Sequence, residues 1–441
     1  MIVVDAALAA RARANDPVRV GVVGAGFAGR GVVLQISTAT PGMEVVVVSN
    51  RTVEHAERAY RDAGITDFDR ATDAAAVDEA VSAGRRCVTD NPAAVFESSA
   101  VDVVVETTGE VEFGSRVALG AIEHGKHIVL VNAELDATLG PILKVYADRA
   151  GVVLTDTDGD QPAVLMNLAR EAAMLGFRPL LAGNIKSLLD HYRTPLTQKA
   201  FADAVFQRPK MITSFADGTK IAAEMATVGN GLGFGVGVRG MAGPSCSRVE
   251  EAAGLFDVES LLERPNVDYI LGAEPSFGVF VLAHSDEPMV QRYMKVYKMG
   301  DGPVYTFYRP YHLSPLETPL TIARAALFAD PALAPAGAPT CEVIALAKRD
   351  LQAGEQLDGI GGFTCYGVIE NASTARGDDL LPIGLSDGCV LTQDVAKDDP
   401  LTFSSVDLPA DRVSDRLWRE QMSHFAGGPV ARRDALAAET P

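Results

Sequence analysis

Tryptophan occurs once in the 441 residues and cysteine five times, at Cys87, Cys246, Cys341, Cys365 and Cys389. With no C-x-x-C pair and wide spacing, these cysteines exclude a disulfide framework and a thiolate zinc site. They read as buried cysteines, with a single catalytic thiol as the minor alternative. No apolar run approaches the roughly 18 residues of a membrane span. The opening "MIVVDAALAARARAND" lacks a signal peptide's apolar stretch and cleavage site, and reads as a short helix, so the cytoplasm is the expected compartment. Basic residues are in deficit, 39 Lys and Arg against 58 Asp and Glu, for a formal charge of -19. That balance excludes a nucleic-acid binder, whose phosphate contacts need a basic face. It does not exclude an anionic substrate held by a local basic cluster.

What is present is a soluble globular composition, 47% hydrophobic and 22% charged, over a length that asks for two or three domains. Residues 18–155 alternate β-rich runs with helical patterns: "VRVGVVGAG", "MEVVVVSN", "VDVVVETTG", "KHIVLVNAE" and "GVVLTDTD" read as strands. Runs of Val, Ile and Leu without polar alternation mark strands covered on both faces, so the fold class is α/β with a doubly wound parallel sheet. From Gln161 the pattern changes to α+β, with Pro162 in a first helical turn, a helix near 217–228 and strands in "DYILGA" and "FGVFVLA". "FADPALAPAGAPT", residues 328–340, has the composition of a linker. A β-rich segment follows, in which "VIALAKRDLQAGEQLDGI" and "GCVLTQDVAKDDPLTFSSVDL" repeat one pattern and predict a pseudo-symmetric module. The expected domains are 1–160, 161–330 and 331–428, with a loose tail over 429–441.

Gly24, Gly26 and Gly29, in Gly24-Ala25-Gly26-Phe27-Ala28-Gly29, form G-x-G-x-x-G after a strand and at the start of a helix. That context makes the motif a dinucleotide loop: Gly24 for the turn, Gly26 for approach of the pyrophosphate, Gly29 for packing helix on strand. An NAD site wants a carboxylate at the end of the second strand for the ribose hydroxyls. Here Ser49, Asn50, Arg51 and Thr52 occupy that end, and a guanidinium suits a 2′-phosphate, so NADP is favoured over NAD. Thr107, Thr108 and Gly109 end the strand "VDVVVETTG" and Asn132 and Glu134 the next, where such sheets bind ligands.

Asp156, Asp158 and Asp160 alternate like a calcium loop, but Asn167 stands where that loop needs glutamate, and a helix start is the better reading. In "SFADGTKIAAEMATVG", Lys220 and Glu224 share a helical face with Asp217 one turn earlier, among small and apolar residues. A charged stripe on an apolar helix lines either a cavity or a surface ion pair. In a cavity Lys220 could give a proton to a developing alkoxide, oriented by Asp217. Lys186, His191, Arg193 and His312 are candidate contacts to an anionic or polyhydroxylated substrate. "GNGLGFGVGVRG" reads as a mobile glycine loop. No dedicated metal motif is present; were a divalent metal to bind, Glu134 and Glu224 would be its candidate ligands.

"VGVVGAGFAGRG", "VETTGE", "GKHIVLVNAELD", "GDQPA", "FADGTK", "MGDGPVYTFYRPYHL", "ETPLTIARA" and "LAKRDLQAGEQLDGIGGFTCYG" together resemble the SAF-domain oxidoreductases related to homoserine dehydrogenase. SAF denotes an antifreeze-like module found in sialic acid synthases. The group includes the DXR-like reductoisomerase, which acts on 1-deoxy-D-xylulose 5-phosphate with NADPH and a divalent metal. The resemblance, over about residues 17–425, implies an N-terminal Rossmann domain, a central catalytic and dimerisation domain and a C-terminal SAF-like β-clip module. It implies Gly24, Gly26 and Gly29 in the cofactor loop, Asp217 and Lys220 in a catalytic "DGTK" motif, and a homodimer or higher homo-oligomer. Where homoserine dehydrogenases carry a lysine after the asparagine of the fifth-strand loop, "VNAELD" has Glu134 nearby. The expected function is an NADP-dependent oxidoreductase acting by hydride transfer, at a cleft between its first two domains, on a small polar, phosphorylated or sugar-like carbonyl or alcohol. The alternatives are the DXR-like reaction, a homoserine dehydrogenase-like reaction, and a non-catalytic NADP sensor.

Overall fold

The strands Val18–Val23, Met43–Ser49 and Val103–Glu106 are buried along nearly their whole length in the computed structural model, which describes residues 3–426. The tail expected at 429–441 lies outside the described residues. Strands so apolar need cover on both faces, and alternating helices supply it. The chain opens α1 (Val4–Ala14), β1 (Val18–Val23), α2 (Phe27–Ala39), β2 (Met43–Ser49), α3 (Val53–Asp62), β3 (Asp69–Arg70), α4 (Ala74–Ser82), β4 (Cys87–Thr89) and α5 (Ala93–Phe96). It continues β5 (Val103–Glu106), α6 (Val111–Glu123), β6 (His127–Leu130), α7 (Ala133–Ala150), β7 (Leu154–Asp156), α8 (Gln161–Met174) and β8 (Arg178–Lys186). Next come α9 (Pro195–Ala204), α10 (Pro209–Asp217), α11 (Thr219–Leu232), β9 (Gly235–Val236), α12 (Val258–Glu263), β10 (Asn266–Leu271) and β11 (Val279–His284). Then follow α13 (Pro288–Val296), β12 (Val304–Arg309), α14 (Ser314–Phe328), β13 (Cys341–Ala347) and β14 (Cys365–Asn371).

Two units emerge. The first holds the chain up to Asp160 together with residues 313–334 and 416–421; the second holds 161–312, 335–415 and a short stretch from 422. In the first, seven strands run in the order β3-β4-β2-β1-β5-β6-β7, and every pairing is parallel. The order reverses between β1 and β5, and the crevice at their carboxyl ends is where sheets of this kind take ligands. Val20, Val22, Val45, Val103 and Val105 form its core with Ile322 and Ala323 of α14. Residues 313–334 therefore serve the first sheet, although they come after the second unit's strands in sequence.

Residues 330–333 are no free linker. Leu333 accepts from the Asp156 amide at 2.8 Å, Thr155 Oγ1 accepts from the Ala332 amide at 2.9 Å, and Arg324 Nε donates to Asp330 at 2.9 Å. Further on, Asn230 takes the Thr340 amide at 2.8 Å. Alanine and proline give this stretch a linker's composition, but Ala332 and Leu333 are each 1% exposed because they close over β7.

In the second unit a five-stranded sheet, β12-β11-β8-β10-β9, has β8 parallel to β10 and antiparallel to β11. α8 and α11 pack on it, and the β13–β14 hairpin packs on α11. Every residue of α11 from Thr219 to Asn230 is buried. The glycine-rich passage after α11 is pinned, not open: Asn371 accepts from the Val236 amide at 3.0 Å and returns its own amide to the Val236 carbonyl at 2.8 Å. The Gly240 amide reaches Ile369 at 2.8 Å.

The repeated phrases form a pseudo-two-fold. Leu351 and Val395 exchange backbone hydrogen bonds at 2.9 and 3.0 Å. Asp394 accepts from the Ala353 amide at 2.8 Å, and Asp350, its counterpart, from the Lys397 amide at 2.9 Å. Leu357 donates to Cys389, and Leu401 to Ala345, both at 2.8 Å.

Candidate functional site

The first unit presents a loop whose glycines differ in what a side chain would meet. A Cβ on Gly29 would run into the Gly24 carbonyl oxygen and come within 2.8 Å of Thr107 Oγ1. One on Gly24, at φ +105°, would meet that same hydroxyl at 2.6 Å. A Cβ on Gly26 would meet nothing within 4 Å. Gly24 and Gly29 are thus demanded by the fold, whereas the open backbone at Gly26 is a cradle that a pyrophosphate fits. Thr107 bridges β5 to the loop, its hydroxyl donating toward the Gly24 carbonyl at 2.9 Å. Asn50 accepts from the Ala25 amide at 3.1 Å, which holds the loop against the end of β2. Ala25 is buried, Phe27 exposed and Ala28 half-buried.

At the end of β2, Ser49 is buried and its carbonyl takes the Gly24 amide at 2.8 Å. Arg51 and Thr52 are exposed, and Arg51 forms no ion pair among the described residues. Asp90, level with Asn50 by the pairing of Ser49 with Thr89, lies one strand farther from the loop. Thr108 and Gly109 come directly after β5, and the Thr108 amide donates to Glu106 at 2.8 Å. Asn132 faces inward: it caps α7 by accepting from the Leu135 amide at 3.1 Å and donates to Glu106 at 2.8 Å. Sequence reasoning missed Glu106, a buried carboxylate whose pKa burial raises above the usual range. Its signal was one acid ending the run "VDVVVE". Glu134 is buried in the first turn of α7.

The second unit gathers a polar centre around the start of α11. Lys220 and Glu224 are 7% and 2% exposed, which rules out the surface ion pair left open by the pattern. Asn184 of β8, fully buried, donates to Glu224 Oε2 at 3.3 Å, and its Oδ1 has no hydrogen-bond partner. Lys186, two residues on, shares that face of the strand. Asp217 does not lie one turn before Lys220 on a single helix. It ends α10, and Gly218, at φ +91°, breaks the helix because that conformation suits glycine.

Asp217 is fully buried and is tied to a residue that sequence reasoning missed. Lys348, directly after β13, donates to Asp217 Oδ2 at 2.8 Å, to the Arg193 carbonyl at 2.9 Å and to the Gly362 carbonyl at 2.9 Å. Burial raises the Asp217 pKa, while the Lys348 charge and hydrogen bond pull it back. His191 Nδ1 lies 2.7 Å from the Asp217 carbonyl oxygen, and its ring stacks on Tyr366 with centroids 4.6 Å apart. A carbonyl only accepts, so Nδ1 carries a proton, and the tautomer this selects has its lone pair on Nε2. The Arg193 guanidinium pairs with Asp190 at 2.9 Å. His312 lies 2.9 Å from Gln161 Nε2 and stacks on Phe277. Lys348 ends the apolar strand "CEVIALA", a weak signal that the repeat obscured.

Among the described residues no group of three or more His, Cys, Asp or Glu could hold a metal ion, and no helix is long and apolar enough to cross a membrane. The five cysteines are free thiols.

Residues 18–131 match the family model described as "Oxidoreductase family, NAD-binding Rossmann fold", and residues 159–318 match "Oxidoreductase DRL, catalytic domain". These segments are those of a nicotinamide-dependent oxidoreductase. A homoserine dehydrogenase from Methylobacillus glycogenes is 28% identical over 207 residues, 46% of this chain and 47% of that protein. The match thus spans about half the length of that curated relative. Among solved structures, a homoserine dehydrogenase from Thiobacillus denitrificans covers 77% of this chain and 83% of its own, at 16% identity and TM-score 0.42. A probable dehydrogenase from Thermotoga maritima covers 72% and 90%, at 12% identity and TM-score 0.39.

Proposed function

We propose that the chain is an NADP-dependent oxidoreductase whose substrate is a small polar carbonyl or alcohol, phosphorylated or sugar-like. The observation that carries the substrate side is the buried Lys220 and Glu224 on a helix made mostly of small and apolar residues, beside an Asn184 oxygen that has no protein partner. A buried polar atom left unsatisfied costs about 1–3 kcal/mol, which a polar substrate would recover. The open cradle at Gly26 and the free guanidinium of Arg51 support the cofactor side. When bound, the nicotinamide supplies or accepts the hydride. Lys220 holds a proton for the substrate oxygen and shields the negative charge that grows there. Glu224 and Asn184 orient the neighbouring hydroxyls. His191, its lone-pair nitrogen turned away from Asp217, accepts a substrate hydrogen bond.

NADPH consumption with 1-deoxy-D-xylulose 5-phosphate and Mn²⁺, run beside NADH, tests the finer form of this reading, a DXR-like reaction. Turnover with NADPH alone supports it and the role of Arg51. Tighter binding of NADPH than NADH without turnover keeps the cofactor and rejects that substrate. The similarity to a homoserine dehydrogenase favours a second reading, homoserine as the alcohol, and NADP⁺ reduction in its presence is the matching assay.

A further inference from the structure

We propose that Lys348 is a positioning residue through which the C-terminal β module sets the geometry of the polar centre. The proposal rests on reading that centre as the substrate site. Lys348 is itself unsuited to donate a proton to substrate: its side chain is 3% exposed, and each of its three N–H bonds already has an acceptor. Those acceptors lie on three separate pieces of chain. The Arg193 carbonyl fixes the loop that carries His191, Asp217 fixes the joint between α10 and α11, and the Gly362 carbonyl belongs to the module itself. Asp217 passes the constraint on. Its second oxygen takes the Thr219 amide at 2.9 Å, in the first turn that leads to Lys220. Its carbonyl takes His191 Nδ1.

The module braces the same turn from other directions. Thr219 Oγ1 accepts from the Gly367 amide at 2.8 Å, and Tyr366, beside Gly367, forms the wall on which His191 stacks. Tyr366 is in turn held by Asp398, which accepts from its hydroxyl at 3.0 Å. One ammonium and one tyrosine from the module therefore decide where the His191 ring sits and which of its nitrogens bears the proton.

The test uses the full chain labelled with ¹⁵N at its histidine rings, with His191→Gln to assign the signal. In the parent protein His191 shows the Nδ1–H tautomer. Lys348→Met with Asp217→Asn removes both charges together, so that no lone ion is left buried. With the fold intact by circular dichroism, the His191 signal is expected to move to the averaged position of a free imidazole, whereas Lys348→Arg, which keeps the charge, restores it in part. Where NADPH oxidation with 1-deoxy-D-xylulose 5-phosphate is measurable, kcat falls roughly 10- to 100-fold. The KM for NADPH does not change. An unmoved His191 signal in the folded double variant overturns the proposal. A parent without turnover on that substrate counts against the substrate assignment alone, since the ring signal still decides the positioning.

Discussion

Asp136 offers the sharpest test of the energetics. It lies in the first turn of α7 and is fully buried, and neither carboxylate oxygen has a hydrogen-bond partner. The helix N-terminus favours a negative charge there, but burial dominates and pushes the carboxyl up from 3.8 to about 7. The native state therefore keeps a proton that the unfolded chain has already released. Between pH 4 and about 7 folding binds protons, so stability falls as the pH rises through that window and levels off above it. A rise of roughly three pK units, at about 1.36 kcal/mol each, is on the order of 4 kcal/mol. Asp136→Asn removes this dependence. Its amide, also unpartnered, costs about 1–3 kcal/mol of that gain, so the variant should exceed the parent by roughly 1–3 kcal/mol at pH 8 and fall level or below at pH 5. Urea unfolding followed by the fluorescence of Trp418, the one tryptophan and a member of the same unit, reads this at several pH values. A parent-minus-variant difference that stays constant from pH 5 to 8 refutes the reasoning.

The same geometry sets other outcomes. Arg51→Ala should weaken NADPH binding by about tenfold and leave NADH unchanged, a loss that shrinks in high salt because the residue is exposed, as fluorescence titration would show. Gly29→Ala should abolish binding of both cofactors, since its Cβ strikes the Gly24 carbonyl, which cannot move without distorting β1 and the loop. Cofactor binding should also fall with Gly26→Ala, but with an unchanged melting temperature, which separates crowding of the ligand from damage to the fold. Lys220→Met should lower kcat by roughly 100- to 10,000-fold with cofactor affinity retained, and equal kcat in the variant would remove Lys220 from the chemistry.

The parallel sheet of the first unit was legible because its signals are local. A valine run, a glycine at each fixed offset and a strand-end amide all act within a few residues of one another, and the parallel sheet is their consequence. The joint at Gly218 was legible in principle, since "ADGT" is turn chemistry, but the helical periodicity of residues 219–230 hid it. The 328–340 stretch was misjudged for a different reason: composition describes what a segment could do in isolation, and burial against β7 is a property of its partners. Lys348 was illegible in a stronger sense. A lysine ending an apolar strand looks like an ordinary solvated turn, and only the fold reveals that Asp217, 131 positions earlier, is its counter-ion. A buried ion pair of this kind adds little net stability, while loss of one partner costs about 3–5 kcal/mol. What it can specify is register, here between a β hairpin, a helix joint and a loop. The centre around Lys220 is accordingly the part of the chain where single-residue patterns say least. Lys220 and Glu224 could be chosen from a helical stripe, but the groups that hold their surroundings come from a module whose sequence speaks only of its own symmetry.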